Sequence, residues 1–287
     1  MRIGVNHWIW CAPFKTSQHF GLISKAKSLG AEVFEFAFED GAQFDLGAIR
    51  KALEDEDLGT SMVAIMGPDR DLSSEDAAVR HNGVDYAKRG IDTTAAMGGT
   101  VFTGCVCGVG GDKMLSDVDV TARLQRAAEC LQTLGQHAAL AGVLVTVEVL
   151  NHYENNVLHS VDNGLRLVEM ASHPAVGIHL DTFHMSMEES SLAGAIRKAG
   201  DKLFHFHSSE SHRGTPGTGL VQWAEVADAL SEINYDRYCV IESFNTDVEE
   251  CWIVEFAKTW RPRAETQDDL AREGVAFLKN ALRSEPL

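Results

Sequence analysis

Short apolar runs alternate with longer amphipathic stretches along the chain. Eight runs rich in β-branched and aromatic residues have the length of buried strands, and they lie at Arg2–Ile9, Val33–Ala37, Ser61–Met66, Thr100–Val106, Val143–Leu150, Val176–Thr182, Leu203–Ser209 and Tyr238–Phe244. The amphipathic stretches predict helices at 17–29, 46–57, 75–97, 118–141, 159–172, 189–199, 222–233 and 267–283. Eight alternating strands and helices, with no GxGxxG motif after the first strand, favour a closed barrel over a doubly wound sheet. We therefore predict an α/β fold, with residues 1–287 forming a single (β/α)8 TIM barrel.

Four of the later strands end in residues of the kinds that bind metal ions. These residues are Glu148, Asp181, His207 and Glu242. Ionised carboxylates are rarely buried without a compensating partner. Because side chains alternate along a strand, each of the four lies on the face opposite bulky apolar neighbours. The carboxyl ends of the strands of such a barrel form its site, so we expect the four side chains to converge there.

The chemical character of these four residues indicates which metal they would bind. Three carboxylates and one imidazole suit Mn²⁺ or Mg²⁺, with Co²⁺ also suitable, whereas structural zinc sites favour thiolates and several histidines. Buried salt bridges or helix caps would explain one such residue alone. Four equivalent positions on successive strands are better explained by one metal site. Cys105 and Cys107 are a weaker alternative, because the six cysteines are sparse and include no CxxC pair.

Three further residues have both a functional and an ordinary interpretation. Glu154 follows the fifth strand, where its carboxylate could bind a ligand or could simply be solvated. His184 either reaches the barrel mouth or caps the next helix. Arg213 lies in a long polar loop with several glycines, which favours function, but it could be a surface arginine. The sequence leaves these alternatives open. It also does not decide whether Trp8, Trp10 and Phe38 line the site or belong to the core.

The charge of the chain restricts its partners. The 25 basic and 42 acidic residues give a net charge of −17, and the pI is about 5.0. A nucleic-acid partner would require a basic face, so none is expected. No apolar run reaches the ~18 residues of a transmembrane helix, and no membrane partner is expected either. The strand pattern starts at Arg2 without a signal-peptide layout, which together with sparse cysteines predicts a cytoplasmic protein with reduced thiols.

Several segments resemble one known enzyme family. The matching segments are Glu148-Val149-Leu150-Asn151-His152-Tyr153-Glu154, His179-Leu180-Asp181-Thr182-Phe183-His184-Met185 with Glu188-Glu189, Glu210-Ser211-His212-Arg213-Gly214, Gly217-Thr218-Gly219, Glu242-Ser243-Phe244 and Trp260-Arg261. The chain resembles the ketose 3-epimerases, which act on D-tagatose, D-psicose (allulose) or L-ribulose and belong to the sugar isomerase/epimerase superfamily. The resemblance covers essentially the whole chain.

This resemblance implies a metal-dependent epimerase that inverts C3 of a free ketose, such as D-tagatose, D-fructose/D-psicose or L-ribulose, through a metal-stabilised enediolate. It implies that the four strand-end residues hold one ion, usually Mn²⁺ or Co²⁺. Glu148 and Glu242 match the catalytic acid/base pair, and Glu154, His184 and Arg213 match residues that hold the O1–O2 end of the sugar. It also implies a cytoplasmic homodimer or homotetramer.

The chain departs from the family pattern at three places around the pocket. These are His152 after Asn151, Ser186-Met187 before Glu188, and the loop Cys105–Gly111. The departures leave open which ketose is preferred. The alternatives are aldose–ketose isomerisation, a metal-dependent hydrolase on the same barrel, and a non-catalytic sugar-binding barrel. The single histidine and the negative charge disfavour a hydrolase. A phosphorylated substrate is disfavoured, although the Gly214–Gly219 loop keeps it open.

Overall fold

Eight parallel strands close into a barrel in the computed structural model, which describes residues 1–105, 115–248 and 252–283. The strands are β1 (Arg2–Asn6), β2 (Val33–Phe38), β3 (Gly59–Ile65), β4 (Val101–Cys105), β5 (Leu144–Glu148), β6 (Val176–Asp181), β7 (Leu203–His207) and β8 (Tyr238–Ile241). Each strand pairs with the next along the chain, and β8 pairs with β1 to complete the ring. The predicted TIM-barrel fold is confirmed.

Helices connect and surround the strands. Within the described ranges they are α1 (Thr16–His19), α2 (Leu22–Ser28), α3 (Leu46–Asp55), α4 (Ala77–Ala96), α5 (Asp117–Ala141), α6 (Val161–Ala171), α7 (Thr182–Glu188), α8 (Leu192–Ala199), α9 (Trp223–Glu232), α10 (Trp252–Phe256) and α11 (Gln267–Arg283). Most begin at a side-chain cap of the expected kind, since serine and aspartate oxygens accept the free amide hydrogens of a first turn. Ser116, for example, caps α5 by accepting from the amide of Asp119.

The eight predicted strands each overlap an observed strand, but several boundaries differ. The first was predicted to reach Ile9, whereas β1 ends at Asn6, whose side chain accepts from the Trp8 amide at 2.8 Å and starts a 3-10 turn. The predicted helix 17–29 is two short helices, α1 and α2. The end of the fourth predicted strand at Val106 lies outside the described residues, as does most of the 105–111 loop with Cys107.

Two helices were not predicted, α7 and α10. Helix α7 follows β6 with no intervening loop, because Asp181 ends the strand and its side chain caps the helix, accepting from the Phe183 amide at 2.8 Å. Because Asp181 is both the last residue of the strand and the cap of the helix, no loop residues mark the boundary in the sequence. The predicted helix 189–199 is accordingly shorter, and α8 starts at Leu192.

The alternation within the strands places apolar residues against the helices. Phe206 is fully buried in the apolar core, and its ring lies 6.3 Å from that of Tyr235. Val147, Ile178 and Ile241 belong to the same core, which also contains residues of α5, α6 and α11. The opposite faces of these strands therefore point into the barrel, as predicted.

Strands β3 and β4 approach each other very closely at one glycine. Gly104 has a φ of +121°, a value that L side chains rarely adopt, and a Cβ built there would lie 2.1 Å from the carbonyl oxygen of Ala64. Only glycine fits such a position, because the added carbon would overlap backbone atoms that cannot move independently. This glycine therefore fixes the spacing of two barrel strands.

The structure also describes three of the cysteines and the apolar character of the helices. Cys11, Cys130 and Cys239 are buried thiols that form no disulfide among the described residues. Burial raises the pKa of the Cys239 thiol to about 12, so it stays protonated at neutral pH. No helix in the described parts of the chain has the length and apolar character needed to cross a membrane.

Candidate active site

The four strand-end residues come together at the carboxyl end of the barrel. Glu148, Asp181 and His207 are the last residues of β5, β6 and β7, and Glu242 directly follows β8. One nitrogen or oxygen atom from each lies within 4.8 Å of the corresponding atom of every other. All four side chains are buried. The parallel strands thus bring four residues that are far apart in sequence into one compact group.

The electrostatics of this group reflect three carboxyl groups sharing one buried space. Burial, reinforced by the charge of Glu242, raises the pKa of Glu148 well above its ordinary value. Burial also raises the pKa of Asp181 to about 6. For Glu242 the charges of Arg213 and His207 outweigh burial and lower the pKa. Burial and mutual repulsion therefore oppose the presence of three negative charges in this group without a cation.

The donor set fits a divalent cation. Carboxylate oxygens with one imidazole nitrogen are ligands that Mn²⁺, Mg²⁺ and Co²⁺ accept. The Nδ1 atom of His207 faces this group and lies 3.3 Å from Oε2 of Glu242. A divalent ion would offset the mutual repulsion of Glu148, Asp181 and Glu242, for which Arg213 supplies only one positive charge. The ion would be held by the four strand-end residues.

Arg213 is buried beside two of these carboxylates. Its Nη1 atom donates to Oδ2 of Asp181 at 2.6 Å and also contacts Oε2 of Glu242. The guanidinium carbon lies 4.1 Å from the ring centre of Phe183, and Nη2 lies 3.0 Å from Nε2 of His184. Only 9% of the side chain is exposed. The surface-arginine interpretation is therefore wrong, and the structure places Arg213 at the candidate site.

Glu154 and His184 are tied together by Asn151. The Nδ2 atom of Asn151 donates to Oε1 of Glu154 at 2.8 Å and lies 2.8 Å from Nδ1 of His184. The far side of the His184 ring, Nε2, lies 3.7 Å from Oε1 of Glu148. Asn151 thus connects the segment after β5 to α7 and orients both side chains. Sequence reasoning did not single it out, although it stands three residues before Glu154.

One cavity at the barrel mouth contains the predicted residues. Glu148, Glu242, Glu154, His184 and Arg213 all line it, and its apolar wall includes Trp8, Phe183 and Phe244. Of the three aromatic residues with an open role, only Trp8 lines this cavity. Trp10 instead donates to Asp268 at 2.7 Å, and Phe38 packs against Tyr86. A cavity with one charged side and one aromatic side suits a small polyhydroxylated molecule.

A second polar network lies directly beneath the group, and sequence reasoning missed it. Its centre is Glu35 on β2, which is fully buried and lies within hydrogen-bonding distance of Asn6, Ser61, His205 and His207. The available signal was a charged residue in the middle of the apolar strand VFEFAF. Because Glu35 does not end its strand, a search for polar strand ends did not find it.

Comparison with known proteins places this geometry in a family. A family model described as a xylose isomerase-like TIM barrel matches residues 23–281. An L-ribulose 3-epimerase from Mesorhizobium japonicum is 30% identical over 277 residues, which cover 96% of this chain and 93% of that protein. The chain belongs to the ketose 3-epimerase family.

Other ketose 3-epimerases agree with this assignment. A D-psicose 3-epimerase from Agrobacterium fabrum is 34% identical over 250 residues, 85% of each chain. The crystal structure of a D-allulose 3-epimerase from Methylomonas sp. has a TM-score of 0.91 and 28% identity, with 98% of each chain covered. The resemblance seen in the sequence motifs is confirmed. Ketose 3-epimerases are carbohydrate epimerases, and the chain is accordingly an enzyme of the isomerase class.

Proposed function

We propose that the protein inverts the configuration at C3 of a free ketose, such as D-tagatose, D-fructose/D-psicose or L-ribulose. One divalent metal ion, with Mn²⁺ the first candidate and Co²⁺ or Mg²⁺ the alternatives, would be bound by Glu148, Asp181, His207 and Glu242. The observation that carries the proposal is the pair of carboxyl groups, Glu148 from β5 and Glu242 after β8, that line one cavity. Family membership supports the reaction class.

Inversion at C3 requires a proton to leave one face of the sugar and a proton to arrive at the other. A single base would have to cross the substrate, whereas two carboxyl groups on opposite sides would not. Glu148 and Glu242 come from strands separated around the barrel, so one can take the C3 proton while the other returns one. When bound, the metal ion would polarise the C2 carbonyl and stabilise the negative charge that develops on its oxygen.

The remaining polar residues of the cavity would hold the substrate. Arg213 presents a rigid set of donors, and Glu154 and His184 line the same cavity. We assign these three to the O1–O2 end of the ketose, where fixed orientation contributes to rate by removing the entropy of alignment. A homodimer or homotetramer and a cytoplasmic location stay predictions.

Isotope incorporation tests this function. The protein would be incubated with Mn²⁺ in D₂O and supplied separately with D-tagatose, D-fructose and L-ribulose. We expect deuterium at C3 of the product ketose and none at C1. Deuterium mainly at C1, with an aldose as product, would establish aldose–ketose isomerisation instead.

Two substitutions and a chelator test the roles of the residues. Glu148→Gln and Glu242→Gln should each lose most activity, because one general acid/base group typically contributes about 10²–10⁴-fold. Bound metal is measured in each variant, so that loss of the ion is distinguished from loss of proton transfer. Full activity of the metal-free protein in chelator would contradict the metal assignment.

A further inference from the structure

Glu35 lies among four polar side chains inside the barrel. Its Oε1 lies 2.8 Å from Nε2 of His207 and 3.0 Å from Nδ2 of Asn6. Its Oε2 lies 2.7 Å from Oγ of Ser61 and 2.8 Å from Nε2 of His205. The side chains of Glu35 and of both histidines are completely buried. A carboxylate is the only ordinary side chain with enough acceptor sites for all four neighbours.

The contact with Oε1 determines which nitrogen of His207 carries the proton. A neutral imidazole has one N–H and one lone pair. In a His207 ring that binds a metal ion, Glu35 would take the N–H at Nε2, and the lone pair would be at Nδ1, the atom that lies 3.3 Å from Oε2 of Glu242. Asn6 and Ser61 hold the carboxylate, and through it the plane of the His207 ring. The nitrogen needed for a metal ion is thereby presented to the ligand group.

A second metal site among the histidines is the competing explanation. Nitrogen atoms of His179, His205 and His207 also lie within 4.8 Å of one another. However, Nδ1 of His179 already lies 2.9 Å from Oγ1 of Thr103, within hydrogen-bonding distance. The Nε2 atoms of His205 and His207 are both directed at Glu35, and the number of ions bound per chain distinguishes a second metal site from a single one.

We propose that Glu35 is a positioning residue for the metal centre, which fixes the tautomer and the ring plane of His207 from behind. This inference rests on the proposed function, in which His207 is a metal ligand. Carboxylates that accept from a metal-binding histidine typically change metal affinity by about 10–100-fold when they are removed. Glu35 does not touch the cavity, so it acts on the reaction only through His207.

Two variants separate the charge of Glu35 from its shape. In Glu35→Gln the amide oxygen can still accept from His207, while the amide nitrogen can donate to Ser61 and to a His205 ring with its proton on Nδ1. That variant removes mainly the charge. Glu35→Ala removes the contact altogether and leaves the His207 ring unsupported. We expect Co²⁺ binding, measured by calorimetry, to weaken by about 10-fold in the first and about 100-fold in the second.

The visible absorption spectrum of bound Co²⁺ gives a readout that a purely structural role would not change. The spectrum should shift in both variants, because the charge of Glu35 raises the basicity of His207 and its contact orients the ring, and one ion should bind per chain. Glu32→Gln is the matched control, since Glu32 precedes the same strand and pairs with Arg283 and Lys279. Its Co²⁺ affinity and spectrum should equal those of the unmodified protein.

Three results would overturn the inference. These are unchanged Co²⁺ affinity and spectrum in Glu35→Gln, an equal loss in Glu32→Gln, and two ions bound per chain of the unmodified protein. If Glu35→Ala does not fold, Glu35→Gln decides the question because it keeps the shape of the side chain. Failure of the proposed function has a different signature: the unmodified protein would bind the ion but leave the ketoses unchanged, or would bind no ion at all.

Discussion

Replacing Arg213 with methionine should destabilise the protein strongly without metal and more weakly with it. Methionine keeps a long apolar side chain over Phe183 and removes the positive charge. The backbone of Arg213 has a φ of +62°, and methionine leaves that local strain unchanged. The perturbation therefore isolates the charge that compensates Asp181 and Glu242.

The structure allows the size of this effect to be worked out. Nη1 of Arg213 contacts Asp181 and Glu242, and the three side chains are at most 9% exposed. Removing one partner of a buried ion pair typically costs about 3–5 kcal/mol, because the remaining charge stays uncompensated. A bound divalent ion compensates the same two carboxylates. We therefore expect about 3–5 kcal/mol of lost unfolding free energy in chelator and clearly less in excess Mn²⁺.

Urea unfolding followed by circular dichroism at pH 7 measures both values. The unmodified protein and Arg213→Met are each unfolded once in chelator and once in excess Mn²⁺. The gain in unfolding free energy on adding Mn²⁺ is then compared between the two proteins. Arg197→Met is the control, because Arg197 pairs with Glu232 at the surface, and its unfolding midpoint should match the unmodified protein in both conditions. An equal loss for Arg213→Met with and without metal would refute the reasoning. So would a loss below about 1 kcal/mol in chelator, which is the range of solvent-screened pairs.

Two further predictions concern the framework. Gly104→Ala should lower the thermal unfolding temperature or prevent folding, because its Cβ would meet the Ala64 carbonyl oxygen at 2.1 Å; unchanged thermal stability would contradict the close approach of β3 and β4. Partial burial raises the pKa of Glu32, but the hydrogen bond from Arg283 outweighs it, and the pKa falls from 4.5 to about 2. The stabilisation by Glu32 is therefore present above about pH 4.5 and lost as the pH falls toward 2. The unfolding midpoints of Glu32→Gln and the unmodified protein should accordingly differ at pH 7 and converge at pH 2, and a constant difference would refute this.

The sequence was informative wherever the physics is local. Apolar runs of strand length located all eight strands, since burial on both faces leaves little alternative for such segments. Alternation within each strand then predicted that Glu148, Asp181, His207 and Glu242 face inward, and the closed barrel brought their ends together. The boundary between β6 and α7 was missed because Asp181 serves as strand end and helix cap at once.

The residues that were missed depend on contacts between distant strands. Glu35 becomes significant only when β2 and β7 face each other across the barrel, so that its carboxylate meets His205 and His207. Likewise, the contacts of Arg213 with Asp181 and Glu242 require a loop and two strand ends to meet. No local sequence pattern predicts these contacts, because they form only when the barrel closes and brings distant segments together.

The shared use of Asp181 has a consequence for engineering this enzyme. Its Oδ1 accepts the Phe183 amide at 2.8 Å, while Oδ2 accepts from Arg213 at 2.6 Å. Helix α7 carries Phe183 and His184 into the cavity, so the segment that shapes the cavity is anchored on the carboxylate of the ligand group. A graft that exchanges α7 to alter sugar preference must therefore transfer Asp181 and the matching Arg213 with it. The three therefore behave as one exchangeable module.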